Sequence, residues 1–338
     1  MPVAGQGMVP SGASFNELSA VVNRSFIPKL VVQLYRSTPV LSLMMRNAQL
    51  AGGGMSQIAV PVQGSSLVNY SYTDYTGSYA QPPVINSIQT AEFNLSLGVC
   101  PVPMVGPEAL VQDDSTIINL VEARMADAKT VIQNQVSRDL LVNDNTANTL
   151  APFGLRQIYN TGANFSTYGN INRTAAGNSF WNGNIVTSAG AILTRAAMTN
   201  RIVQATALAG GESPDAIIMS MADWSTLAQD FIGQERYMTT ANTFNEREGQ
   251  NAGFTALSIL NVPIFADPSC PVGTIYMLNS KYLAMYIHRN ANFAFSGFQS
   301  TIPNLQFGYL GLILLAFQFV CTKPASGLQI TGVTGGGF

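Results

Sequence analysis

The sequence holds one histidine, His288, and three cysteines, Cys100, Cys270 and Cys321. A general base needs a nucleophile and an orienting group gathered around it in space. His288 is flanked by Ile287 and Arg289 and reads as a structural or surface residue at the end of a strand. Metal sites carry His, Cys or carboxylate ligands at short spacings, and none of the three cysteines has a Cys or His close by in sequence. Asp113 and Asp114 could attract a hard cation, but they precede a helical pattern and read as its cap. The glycine triplets at 52–54 and 335–337 lack the Lys-Ser/Thr pair that a phosphate-binding loop requires. The expectation is a chain with no catalytic residue, no metal and no cofactor.

Two groups of side chains suggest contact chemistry instead. Tyr70, Tyr72, Tyr75 and Tyr79 crowd one polar segment. Such rings can stack on bases or sugars. With no Arg or Lys among them, they are expected at contacts between copies of the chain. Arg156 and Arg173 sit in a passage rich in Gly and Asn, where ion pairs within or between copies are expected.

Composition narrows the function class. Apolar residues make up 47% of the 338 residues, yet charged residues make up only 10%, against roughly 25% in an ordinary soluble domain. A free monomer keeps its surface wet and apart from its neighbours with charge. Here that surface is built from Ser, Thr, Asn, Gln and Gly, which suits a chain covered by copies of itself; a secreted, β-rich adhesive or carbohydrate-active protein can share this composition. The net charge is −2 and the lysines are Lys29, Lys129, Lys281 and Lys323. Tight duplex binding needs many cationic phosphate contacts, so no specific nucleic-acid binding is expected. No basic stretch followed by an apolar run opens the sequence, so no signal peptide is expected. The apolar run over 305–321 is too short and Gly-interrupted for a membrane span and reads as a buried strand. The odd, widely spaced cysteines fit reduced thiols, as in the cytosol.

The elements that would position these residues follow from periodicity. Residues 1–14 read as a flexible arm. Leu30, Val31, Leu34 and Tyr35 lie at helical spacing between Pro28 and Pro39. Strands are expected at Ile58–Val62 and Ala91–Met104, the second with Phe93, Leu95, Leu97 and Val99 on one side. Only Asp74 and Glu92 are charged between 51 and 107, which marks the pair as a projecting hairpin covered by a neighbour. From Ser115, the residues Ile117, Val121, Met125, Ala128, Ile132 and Val136 form one apolar stripe, predicting a helix of about 25 residues. A second helix is expected over Ala191–Leu208 before Gly210-Gly211, then a buried strand within Asp215–Met221 and a short helix from Ala222 to Phe231. The charged segment 233–254 reads as an exposed loop. Further strands are expected at Ala256–Leu260, Val262–Ala266, Thr274–Leu278, Leu283–His288, Phe293–Phe298 and Leu305–Thr322.

This order of elements resembles the Hong Kong 97-type fold of tailed-bacteriophage major capsid proteins and of encapsulin shells. GLRQIYNTG from Gly154, YGNINRT from Tyr168 and Trp181 resemble the link after the long helix in those proteins. PDAIIMSMADWSTL from Pro214 and LNVPIFADPSCPVGTIYMLN from Leu260 resemble their strand–helix and strand–turn–strand signatures, and Asn304–Val333 their last strands. The fold class implied is α+β. It comprises an N-terminal arm (1–50), an extended β-hairpin loop (51–105), a peripheral domain (106–186 and 286–338) with a spine helix at about 115–142, and an axial α/β domain (187–285).

The resemblance implies a coat protein that assembles into pentamers and hexamers of an icosahedral head around double-stranded DNA, without sequence-specific binding and without contact with a membrane. It would be part of the virion and assemble in the host cytoplasm. Implied partners are copies of itself, a portal and a decoration protein. Because the arm is short and uncharged, a separate scaffolding protein is expected. Some family members weld their shells through an extended-loop lysine. No lysine lies between residues 30 and 128, so no isopeptide cross-link is expected. An encapsulin-like compartment is the alternative function.

Overall fold

The computed structural model describes residues 39–52, 56–64, 88–105, 114–143, 148–188, 190, 193–231, 257–301 and 308–334. Leu30, Val31, Leu34 and Tyr35, the tyrosine segment and the charged segment 233–254 lie outside them. Pro39 opens a helix, α1 (Pro39–Arg46). Proline suits the first turn, where its missing N–H would have no partner in any case. Val40, Leu41 and Met44 are buried on one side of this turn. A short strand follows, β1 (Gln49–Ala51).

β2 (Gln57–Gln63) and β3 (Ile88–Asn94) form the expected antiparallel hairpin, in register from Gln57 opposite Asn94 to Gln63 opposite Ile88. The second expected strand is not continuous. At Leu95, whose N–H donates to the Ser56 carbonyl, the chain leaves the hairpin. It resumes as β4 (Ser96–Val105), which pairs with a different strand, β14 (Gly308–Cys321). Changing partners reverses which alternate residues face inward. Phe93 is buried, Leu97 and Val99 are exposed, and Val102 and Met104 are buried in their place. The single-sided set Phe93, Leu95, Leu97 and Val99 is therefore corrected: β4 belongs to a larger sheet, not to the projecting hairpin.

The long helix α2 (Asp114–Leu141) spans 28 residues, about 42 Å at 1.5 Å per residue. Val121, Met125, Ala128, Ile132 and Val136 are buried as the stripe predicts, and Leu140 continues it. A short helix, α3 (Leu155–Ile158), and the small hairpin β5 (Thr167–Tyr168) and β6 (Ile171–Asn172) follow, then a 3-10 turn at Ser179–Trp181.

Two larger sheets organise the remainder. The first runs in the order β1, β12 (Leu283–Phe295), β14, β13 (Gln299–Ser300), with β4 on β14. Expected breaks between Leu283–His288 and Phe293–Phe298 are absent. β12 runs through as one strand, absorbing the irregularity in register shifts between Ile287 and Ala294. The extra residues bulge out of the ladder; His288 sits there, its Nδ1 accepting the Asn290 N–H at 3.3 Å.

The second sheet has six strands, ordered β7 (Asn184–Thr187), β15 (Leu328–Thr331), β11 (Ile275–Leu278), β8 (Ala216–Met219), β10 (Val262–Ala266) and β9 (Leu257–Ile259). Its central strands are buried on both faces, as their unbroken apolar runs require. Helices α4 (Arg195–Leu208) and α5 (Met221–Phe231) cover one face, with Met198, Ile202, Leu227 and Phe231 against Ile217, Met219, Ile275 and Ile330. The other face, through Ala216, Ile218, Tyr276 and Leu278, joins the core under α2. Leu328–Thr331, which follows the first sheet in sequence, pairs in this sheet with β11 and β7. α4 starts at Arg195 and not at Ala191, because Thr194 Oγ1 accepts the Ala197 N–H at 3.2 Å and caps it there.

Candidate assembly surface

The long helix and β4 leave an open groove between them. Val99, Cys100, Pro101, Val131, Gln135 and Leu315 contribute to a cavity of about 190 Å³. Leu97, Val99 and Val131 are half or more exposed. Lone apolar residues on a surface are ordinary; here Val99 and Val131 flank one opening, which Gln135 and Asp139 also line. Val131 lies off the stripe that α2 buries, so the helix presents a second apolar spot outward, next to β4.

β4 forms a margin of the first sheet. The Arg124 guanidinium on α2 donates to the Pro103 carbonyl, so the backbone of residue 103 faces away from β14. Pro101 has the same parity and faces the same way. Neither proline has an N–H to offer an added strand. Leu97, Val99 and Val105 share that parity and keep their N–H groups, so the two prolines interrupt the ladder this margin could extend without closing it.

Of the residues expected at contacts between copies, Tyr70, Tyr72, Tyr75 and Tyr79 lie outside the described residues. Arg156 is exposed on α3, close enough to Tyr276 to act on it electrostatically. Arg173 is not at a surface: it is 2% exposed. One guanidinium nitrogen donates to the carbonyls of Gln157 at 2.9 Å and Asn160 at 3.1 Å, and the other to Ile158 at 2.9 Å. Its carbon lies 4.8 Å from the centre of the Tyr168 ring. The expected ion pair is replaced by carbonyl oxygens at the end of α3, which have no partners within so short a helix. Burial pushes the Arg173 pKa down to about 10, opposed by nearby Tyr168 and Cys321, so the group stays cationic at neutral pH. Tyr168 stacks on Trp181, whose indole N–H donates to the Tyr168 carbonyl at 2.8 Å. The Tyr168 hydroxyl accepts the Cys321 N–H at 2.8 Å. A lone arginine among Gly, Asn and aromatic residues was the available sequence signal for this knot; the charge-poor setting favours burial, but spacing does not reveal it.

All three cysteines are free thiols. Burial raises Cys100, drives Cys321 up to about 12 and raises Cys270 as well, the last with help from Asp267 and Asp223. Neutral buried thiols are poor nucleophiles and poor ligands. Among the described residues, no group of three or more His, Cys, Asp or Glu is arranged to hold a metal ion. Among the same residues, no helix is long and apolar enough to cross a membrane.

No protein-family model matches the chain and no curated protein does. Solved structures do match it. A chain of the cyanophage A-1(L) capsid aligns at 17% identity and a TM-score of 0.68, covering 88% of this chain and 93% of that one. The holo-SrpI encapsulin complex from Synechococcus elongatus PCC 7942 aligns at 11% identity and 0.54, over 89% and 90%. Mycobacterium phage Adephagia aligns at 15% and 0.51, over 88% and 90%. The chain has a mixed α/β fold that resembles those of phage capsid proteins.

Proposed function

We propose that this chain is the major capsid protein of a tailed bacteriophage, with the Hong Kong 97-type arrangement of arm, extended loop, peripheral and axial regions. It assembles with itself into pentamers and hexamers of an icosahedral head that encloses double-stranded DNA. The observation that carries the reading is the fold shared with the cyanophage capsid chain over nearly the whole of both chains. A chain with 10% charged residues and exposed Leu97, Val99 and Val131 beside a surface groove supports it physically, since such a surface is stabilised when copies cover it. Each contact can be weak, because many contacts per subunit add through multivalency. With few lysines, DNA enters by the work of a separate motor through a portal, and binds without sequence preference. A separate scaffolding protein directs assembly, and a decoration protein is a further partner. The product is the virion shell, formed in the host cytoplasm.

The likeness to the encapsulin supports a second reading, a protein compartment that holds cargo. Electron microscopy of the recombinant chain, with and without the scaffolding protein encoded beside it, separates the readings. Closed shells that package nuclease-protected DNA in an infected cell support the capsid. Shells filled with a cargo protein and empty of nucleic acid support the compartment. A chain that stays monomeric at high concentration in both settings overturns both.

A further inference from the structure

Two of the four lysines in this charge-poor chain converge on one carboxylate. Lys281 Nζ lies 3.1 Å from Glu212 Oε1, and Lys323 Nζ lies 3.9 Å from Oε2. The Tyr282 hydroxyl donates to Oε1 at 2.8 Å. Both ammonium groups also sit against the Tyr282 ring, 5.1 and 5.2 Å from its centre. Lys323 donates in addition to the Ala209 carbonyl at the end of α4, at 2.9 Å.

The location gives the cluster its meaning. Glu212 lies between α4 and β8, on the side of the six-stranded sheet. Lys281 and Tyr282 lie on the short crossing from β11 to β12, and Lys323 on the crossing from β14 to β15. These two crossings carry the chain between the sheets side by side, and Thr322 N–H donates to the Tyr282 carbonyl at 3.0 Å. The Tyr282 ring packs on the core beneath α2, while its hydroxyl reaches across to Glu212. Asp215 holds the start of the same crossing through the Ser280 N–H, 3.0 Å from each carboxylate oxygen. Asn47 donates to the Ser280 and Leu283 carbonyls from beyond α1.

We propose that Glu212 is an electrostatic latch at the waist of the molecule, holding the two crossings together and so fixing how the two sheets meet. Its charge is what makes the waist tight. Without it, the Tyr282 hydroxyl loses its acceptor and two ammonium groups are left against one ring, repelling each other. The Tyr282 hydrogen bond, then Lys281, hold the Glu212 carboxyl below the usual carboxylate range, and Glu212 in turn raises Lys281. The facing ionisable groups are Lys281, Lys323, Tyr282 and the nearby Asp215. A depressed carboxylate keeps its contribution above its unfolded pKa and loses it as pH falls through the folded one, so the latch is shut at neutral pH and opens in acid. With Glu212 one-third exposed, salt also loosens it. The inference concerns the single chain and stands whether or not the capsid reading does.

Hydrogen exchange followed by mass spectrometry on the full chain tests it. In low salt, Glu212→Gln should exchange about threefold faster over 279–283 and 321–327, the size an exposed ion-pair network supports. Peptides from β8 should be unchanged. The parent chain should approach the variant as salt rises to about 1 M, where screening is nearly complete. Equal rates in parent and variant at low salt would overturn the latch, as would acceleration spread evenly into β8. If the variant does not fold, the salt series on the parent decides alone: flat rates over the two crossings sink the proposal.

Discussion

The hydroxyl of Tyr276, in the middle of the six-stranded sheet, donates to the carbonyl of Leu141, the last residue of the long helix, at 2.8 Å. The bond ties the end of the 28-residue helix to the second sheet and satisfies a carbonyl that the helix itself leaves open. Burial pushes the Tyr276 hydroxyl far above its ordinary range, so it remains a donor throughout the working pH range. Tyr276→Phe keeps the ring in the core and orphans the carbonyl. It should cost about 1–3 kcal/mol, read as a lower midpoint in urea with an unchanged slope. No shift would mean that the helix end finds another partner.

Arg173 supports a larger effect. Removing its guanidinium takes away the donor to the Gln157 and Ile158 carbonyls in the interior, while the Asn160 carbonyl keeps the Gly183 N–H at 2.9 Å. Arg173→Met should destabilise by about 3–5 kcal/mol and reduce soluble yield sharply. Arg173→Lys should fall in between, since an ammonium cannot fork to three oxygens as a guanidinium does. Denaturant titration of the soluble fraction checks both. A Met variant as stable as the parent would show that water substitutes there.

On the proposed capsid reading, the groove allows folding and assembly to be tested separately. Val131 is 52% exposed, so Val131→Glu should alter stability by no more than about 0.5 kcal/mol. A charge placed in a desolvated contact is costly, so the same variant should fail to form particles by negative-stain microscopy. Normal particles would exclude the groove from the assembly contacts. Removing 66–86, the tyrosine-bearing segment, tests the projecting hairpin in the same way: a folded chain is expected by circular dichroism, and closed shells are not.

Alkaline pH has a signed effect. Burial raises the Cys321 thiol to about 12, against 9.0 for a free thiol. As pH climbs from 9.0 the unfolded chain sheds this proton first, so the folded state loses stability between 9.0 and about 12 and regains none above it. Cys321→Ser should flatten part of that decline in thermal melts. With the native protein at neutral pH, a thiol reagent should modify half-buried Cys100 first, and Cys270 and Cys321 only after unfolding.

The features legible in the sequence were those written in a single period. The stripe from Val121 to Val136 fixed the long helix almost to its ends, and the apolar run at Ala216–Met219 marked a strand buried on both faces. Features that depend on distant partners were not legible. Nothing near Leu95 announces that the chain exchanges β2 for β14 there, so the burial of Leu97 and Val99 was inverted. Leu328–Thr331 follows the first sheet in sequence but pairs in the second, a choice made by β7 and β11. The break expected between His288 and Phe293 is absorbed by β12 as register shifts against β14. Of the expected contact residues, Arg156 is exposed and Arg173 is interior. The groove escaped notice because Val131 and Val99 meet only once the helix lies across β4.

The prolines of β4 bear on the life of the newly made chain. A polypeptide with little charge to keep molecules apart is at risk of stacking into cross-β fibrils, which recruit strands with open amide hydrogens. Pro101 and Pro103 remove two of those hydrogens from the middle of that flank, and the Arg124 guanidinium occupies the Pro103 carbonyl. Continuous backbone pairing is thereby interrupted midway along this flank.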